Sequence, residues 1–233
     1  MEERIPLIDG DPDSINYYVE LNFTELLNYP DKTALEKVKK ELNKQFFNIE
    51  KKEFSADPLV NFKSMIIDLS RAYRAEGLAL KKEYGEMSYM LNYELIKYSK
   101  IIYNENDLLI IQLETYIYEG GAHGLGNKSF LHFNMKTGHI FTLNDLFKKD
   151  FETDINQIIQ SRFEEKKQEN DFFVFQDAEP TINENFYFDN NTFYFLYNPY
   201  EVAPYSSGYI TIEIPLKKLE KWINRSGPIS SIL

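Results

Sequence analysis

Leu108-Leu109-Ile110-Ile111-Gln112-Leu113-Glu114-Thr115-Tyr116-Ile117-Tyr118 is the stretch on which the fold turns. Leu109, Ile111, Leu113, Thr115 and Ile117 fall on one side at period two, the repeat of a pleated strand. Upstream, Met87–Tyr98 alternates likewise, with Tyr89, Leu91, Tyr93 and Leu95 set against Met90, Asn92, Glu94 and Ile96. Between them, Asn104-Glu105-Asn106-Asp107 is turn chemistry, so the two runs are expected as an antiparallel hairpin.

Outward from that hairpin the pattern continues on both sides. Downstream, Glu119-Gly120-Gly121-Ala122-His123-Gly124 leads into a strand over Lys128–Met135, which Lys136-Thr137-Gly138 turns back into Ile140–Thr142. Leu143–Phe147 reads as a short helical turn, and Phe151–Gln168 as a helix with Ile155, Ile158, Ile159 and Phe163 inward. Asn185–Phe188 and Thr192–Tyr197 flank Asp189-Asn190-Asn191, a second hairpin signal. Tyr209–Ile214 is a last strand, and Pro215 opens a terminal helix with Leu216, Leu219 and Trp222.

Upstream, Asp57-Pro58 is an N-cap followed by proline at the first helical position, with a stripe of Leu59, Phe62, Ile66, Leu69 and Tyr73 and Gly85 at the end. Thr33 and Glu36 form a capping box before Leu35, Val38, Leu42 and Phe46. Ile15–Phe23 reads as a strand with Tyr17, Val19, Leu21 and Phe23 on one face. Residues 1–14, with Pro6, Gly10 and Pro12 among acids, read as a loose leader. The class expected is α+β, an antiparallel, hairpin-rich curved sheet with helices packed on it. Residues 15–223 form the unit, 15–118 and 119–223 are its candidate subdomains, and 1–14 and 224–233 are loose ends.

The chain has 233 residues, and 37 acidic against 26 basic side chains leave a net charge of −11. Such a field repels phosphate backbones, so nucleic acid is not expected as a partner. A hydrophobic content of 43% supports a folded core, and the absence of cysteine removes disulfides, thiolate metal sites and thiol nucleophiles. Met1–Pro6 has neither a basic nor an apolar leader region, and no stretch approaches the ~20 apolar residues of a membrane span. Either the protein is cytosolic, or its export segment lies outside this sequence.

Two loops carry candidate chemistry. Three glycines in Gly120-Gly121-Ala122-His123-Gly124 permit close backbone approach, which serves a ligand and a tight turn equally well. The second is Asn198-Pro199-Tyr200-Glu201-Val202-Ala203-Pro204-Tyr205-Ser206-Ser207-Gly208, where a glutamate stands between tyrosines and prolines. Glu201 and His123 would form an acid–base pair if the loops meet on one rim. Otherwise Glu201 caps its own loop, and Tyr200 and Tyr205 offer rings that stack on sugars or peptides. His123, His132 and His139 match no zinc spacing, so no metal or cofactor is expected. No P-loop lysine and no Gly-x-Ser-x-Gly elbow occurs.

Taken together, Tyr118–Gly124, Asn134-Met135-Lys136-Thr137-Gly138, Leu143-Asn144-Asp145-Leu146-Phe147 and the Phe193–Gly208 segment resemble the RsiV/PdaC-like extracellular domains of bacteria, over roughly residues 15–223. The resemblance implies an extracytoplasmic site, as a lipoprotein, the outer part of an anti-sigma factor, or a non-catalytic domain beside a polysaccharide deacetylase. It implies a binding role, with lysozyme as the ligand in the anti-sigma member. The ligands expected are therefore a cell-wall glycan such as peptidoglycan, or a secreted wall-active protein such as lysozyme. A membrane is expected as a partner only through a removed N-terminal anchor, if there is one. Gly120, Gly121, His123, Gly124 and Glu201 fall on the family's motif positions, and Tyr200 and Tyr205 join them as ligand-binding candidates. An envelope hydrolase using Glu201 and His123 is the alternative.

Overall fold

The computed structural model describes residues 1–11, 13–48, 55–85, 90–169 and 173–229. Pro12 of the expected leader, Met87 and Tyr89 of the expected strand, and residues 230–233 of the expected tail lie outside them. The fold is mixed α+β, with a six-stranded sheet in the order β1-β2-β3-β4-β5-β6 and a three-stranded sheet β7-β8-β9. The chain divides into two compact units: Met1–Asn28, Glu36–Lys100 and Leu113–Gly126 in unit 1, and Tyr29–Leu35, Ile101–Gln112 and Asn127–Leu233 in unit 2.

In unit 1, β1 (Glu2–Pro6) pairs antiparallel with β2 (Asn16–Asn22). The expected loose leader is thus an edge strand, and Ile5 and Leu7, buried at 3% and 2% exposure, hold it down. β2 buries Tyr17, Val19 and Leu21 as its alternation predicts. It then pairs in parallel with the start of β3 (Tyr93–Glu105), with Tyr17 opposite Tyr93 and Asn22 opposite Tyr98. The sheet is otherwise mostly antiparallel, as expected, and this pairing is a parallel exception within it. The connection from β2 to β3 carries two helices, the kind of long crossover that parallel neighbours require.

Those helices are α1 (Lys32–Phe47) and α2 (Pro58–Tyr84). Asp31 caps α1, its carboxylate accepting from the Ala34 N–H at 3.0 Å, so the cap lies two residues before the expected Thr33. Leu35, Val38, Leu42 and Phe46 are all buried. Asp57 caps α2, accepting from the Leu59 N–H at 2.8 Å, and Gly85 closes it at φ +61° with its N–H on the Lys81 carbonyl. Phe62 and Tyr73 turn inward, but Leu59 is 46% exposed, because the first turn follows the cap rather than the stripe.

β3 runs to Glu105 and β4 is Leu108–Tyr118, with Asn106 and Asp107 at φ +53° and +60° making the tight turn between them. Leu108, Leu109, Ile110 and Ile111 are all buried, so this part of β4 is covered on both faces rather than one. In unit 2 the turn is pinned: the Tyr29 hydroxyl donates to Asp107 at 2.6 Å and Lys136 Nζ lies 3.0 Å from its carboxylate. β5 (Leu125–Asn134) pairs antiparallel with β6 (His139–Ile140).

The short α3 (Leu143–Leu146) follows, its start fixed by the Thr142 N–H donating to Asp145 at 2.8 Å. α4 (Glu152–Glu169) has acids in its first turn and lysines in its last, which suits the helix dipole, and buries Ile155, Ile159 and Phe163. β7 (Phe186–Phe188), β8 (Thr192–Tyr197) and β9 (Ile210–Pro215) form the antiparallel second sheet, ending in α5 (Leu216–Leu219). Asp189 accepts from the N–H groups of Asn191 and Thr192, both at 2.8 Å, and sets the β7–β8 turn. The described part of the C-terminal end is tied as well: the Asn224 N–H donates to the Leu146 carbonyl and Ile229 is fully buried, so an apolar anchor replaces the expected loose end.

Candidate functional site

The Gly-Gly-Ala-His-Gly loop belongs to unit 1. Gly120 sits at φ +83°, and a Cβ there would meet the Met90 carbonyl oxygen at 2.9 Å. At Gly124 a Cβ would fall 2.4 Å from the Tyr116 ring. Gly121, at φ +89°, has open space around it, and its carbonyl accepts from the Tyr118 hydroxyl at 3.1 Å. His123 is exposed, with Nδ1 2.9 Å from the Gly124 carbonyl oxygen. Beside the loop, Glu119 accepts from the Tyr17 hydroxyl at 3.5 Å, and Tyr17 packs edge to face on Tyr73 and Tyr93, each at 5.6 Å, while Tyr73 is tilted against Tyr93 at 5.4 Å. Burial first, then the Glu119 charge, pushes the Tyr17 phenol well up, so it remains a donor.

The Pro-Tyr-Glu loop belongs to unit 2 and leaves the end of β8 at Asn198. Asn198 is 7% exposed and organises everything around it. Its N–H donates to Glu201 Oε2 at 2.9 Å and its amide Nδ2 to Oε1 at 3.3 Å. Oδ1 accepts from the Lys128 N–H at 2.7 Å, while Nδ2 also donates to the Lys128 carbonyl at 3.2 Å. Tyr200 is thereby held at φ +74°, half exposed, with its N–H on the Ala203 carbonyl and its ring 6.1 Å from that of Tyr205.

Beside this loop opens a cleft of about 460 Å³, lying wholly within unit 2. Four asparagines line it: Asn127, Asn183, Asn185 and Asn198. Asn183 and Asn185 are locked by neighbouring backbone: Asn183 Nδ2 donates to the Leu196 carbonyl at 3.1 Å, and Asn185 Nδ2 to the Lys128 carbonyl at 2.9 Å. Tyr197 closes the floor, its hydroxyl donating to the Thr181 carbonyl at 2.7 Å, and burial with the nearby Glu201 raises its pKa so that it stays protonated. Glu179, Glu184 and Glu201 supply carboxylates and Lys128 the single ammonium of the lining. Asn183, Asn185 and Asn198 spend their amide bonds on this scaffold and fix the walls of the recess, while Asn127 and the carboxylates are polar groups it presents to a hydroxyl-rich ligand.

His123 and Glu201 thus lie in different units, and the Glu201 carboxylate has both oxygens engaged by Asn198 of its own loop. Of the ligand-binding candidates, Glu201 lines the cleft and Tyr200 and Tyr205 stand on its loop, whereas Gly120, Gly121, His123 and Gly124 are in unit 1. His132 is a core residue. It is 3% exposed, its ring stacks on Phe186 at 3.9 Å, and its Nε2–H donates to the Phe186 carbonyl at 2.6 Å. Burial lowers its pKa to about 4. Among the described residues no three His, Asp or Glu side chains gather in a metal-binding group. Sequence reasoning missed Asn127, Asn183, Asn185 and Asn198. The one available signal was the clustering of Asn183, Asn185 and Asn198 at the two ends of a single hairpin.

The fold and cleft define an open, two-sheet α+β domain protein with an amide-lined recess. Residues 16–126 match the family described as deacetylase PdaC, and residues 144–217 the family described as DUF3298, a protein of unknown function. The first half of the chain is thus similar to a PdaC domain and the second to a DUF3298 domain. Two solved structures share the fold. A DUF3298-family member from Bacteroides fragilis NCTC 9343 superposes with a TM-score of 0.86 at 21% identity, covering 98% of this chain and 92% of its own. A DUF3298-family protein from Pseudomonas aeruginosa PAO1 does so with a TM-score of 0.64 at 16% identity, covering 96% and 91%. No curated protein matches the chain.

Proposed function

We propose that this chain is an extracytoplasmic binding domain of the bacterial envelope, and that its ligand is a cell-wall glycan held in the unit 2 cleft. The observation that carries the reading is the lining: a polar recess of about 460 Å³ whose walls are fixed by three asparagines bonded to backbone, Asn183, Asn185 and Asn198. That volume suits a short run of sugar rings, since ligand clefts commonly measure ~300–1,000 Å³. The engagement of Glu201 by Asn198 favours binding over acid–base chemistry at that carboxylate. Titration calorimetry of the whole chain with soluble peptidoglycan fragments should give saturable heat, weakened in Asn127→Ala, an exposed position of the lining. Absence of saturable binding overturns the proposal.

A second reading rests on charge. At −11 the chain attracts basic proteins, and a lysozyme-like partner would associate quickly at low salt. A parallel titration with lysozyme, in which saturable binding survives physiological salt, would favour it.

A further inference from the structure

The charge of the cleft selects within the glycan class just proposed, and the inference rests on that reading. Glu179, Glu184 and Glu201 bring three carboxylates to the lining against one cation, Lys128. The Lys128 ammonium lies 4.2 Å from the Tyr209 ring centroid, an arrangement in which the aromatic face shares its charge. Among the described residues none of the three glutamates joins an ion pair. Glu201 is oriented by neutral amide donors, so its charge is directed without being neutralised.

Glu184 accepts from the Leu143 N–H at 3.3 Å, and burial together with Asp145 holds its carboxyl above the usual range. A cation placed nearby would favour the ionised form of such a carboxylate. A sugar ring with a free amine has the required chemistry: hydroxyls for the polar lining and an ammonium for the carboxylates. An N-acetylated sugar keeps the hydroxyls and loses the charge. We propose that the cleft takes amine-bearing, de-N-acetylated glycan in preference to the N-acetylated form.

The test uses the whole chain at about pH 6, where sugar amines and ordinary carboxylates are both charged. Glucosamine oligomers and N-acetylglucosamine oligomers of equal length are titrated side by side. The amine oligomer should bind at least about tenfold more tightly, a margin of ~1.4 kcal/mol, and the margin should shrink at high salt. Glu184→Gln keeps an acceptor oxygen for the Leu143 N–H and should weaken binding of the amine oligomer several-fold more than that of the N-acetylated one. Asp68→Asn, on an exposed face of α2 in unit 1, should leave the preference intact. Equal losses in the two variants would show mere attraction to an acidic chain and overturn the inference. Equal or tighter binding of the N-acetylated oligomer overturns it too, while the glycan reading stands. If neither oligomer binds, both readings fall.

Discussion

The Gly-Gly-Ala-His-Gly loop of unit 1 and the Asn-Pro-Tyr-Glu loop of unit 2 are held by opposite means. In the first, backbone crowding decides: the Met90 carbonyl and the Tyr116 ring stand where side chains at Gly120 and Gly124 would go. In the second, a tyrosine rather than a glycine occupies the left-handed position, and hydrogen bonds around Asn198 keep it there. The histidines differ in the same way, His123 exposed and His132 enclosed. A glycine-rich pattern here records a steric need, whereas buried amides record where backbone is gripped from the side and a recess kept open.

The sharpest way to test that contrast is through the enclosed imidazole. His132 stays neutral in the fold down to about pH 4, while the unfolded chain takes up its proton near pH 6.5. Stability should therefore be unaffected by this group above pH 6.5 and fall by about 3 kcal/mol as pH drops to 4. Urea titrations across that range should show the loss shrink in His132→Phe. Second, Asn198→Ala strips the Lys128 N–H of its partner and frees Glu201, and should cost about 2–3 kcal/mol as well as glycan affinity. Were it neutral, the gripping role assigned to this amide would be wrong. Third, Gly120→Ala should lower stability by about 1–2 kcal/mol, through the positive φ and the Met90 oxygen, with glycan affinity unchanged. Last and smallest, His123→Ala should shift the urea midpoint by no more than about 0.5 kcal/mol equivalent, as at most exposed positions. A shift as large as that of a buried leucine would place the imidazole in the architecture of its loop.

Much of the fold was legible because its signals are local. Asp57-Pro58 starts α2, Asn106-Asp107 turns β3 into β4, and Asp189 turns β7 into β8, each through bonds within a few residues. What escaped depends on distant partners. Glu2–Pro6 shows a single core-facing isoleucine and becomes a strand only because β2 lies beside it. The parallel pairing of Tyr17 with Tyr93 leaves no trace in either segment alone. The exposure of Leu59 follows from a helix whose cap, not its stripe, sets the first turn. For the site, Glu201 stood out by its proline-flanked setting, but asparagines obey no spacing rule. Asn183 and Asn185 meet Asn198 only after the β7–β8 hairpin has folded.

The parallel contact between β2 and β3 also orders events at the ribosome. Asn16–Asn22 emerges early and can zip against β1 at once, yet its other edge stays bare until Tyr93–Tyr98 has been synthesised. Closing so long a loop costs entropy before any pairing rewards it. Throughout that interval the nascent chain exposes an open strand edge, and α1 and α2, made in between, are the natural shield against premature association.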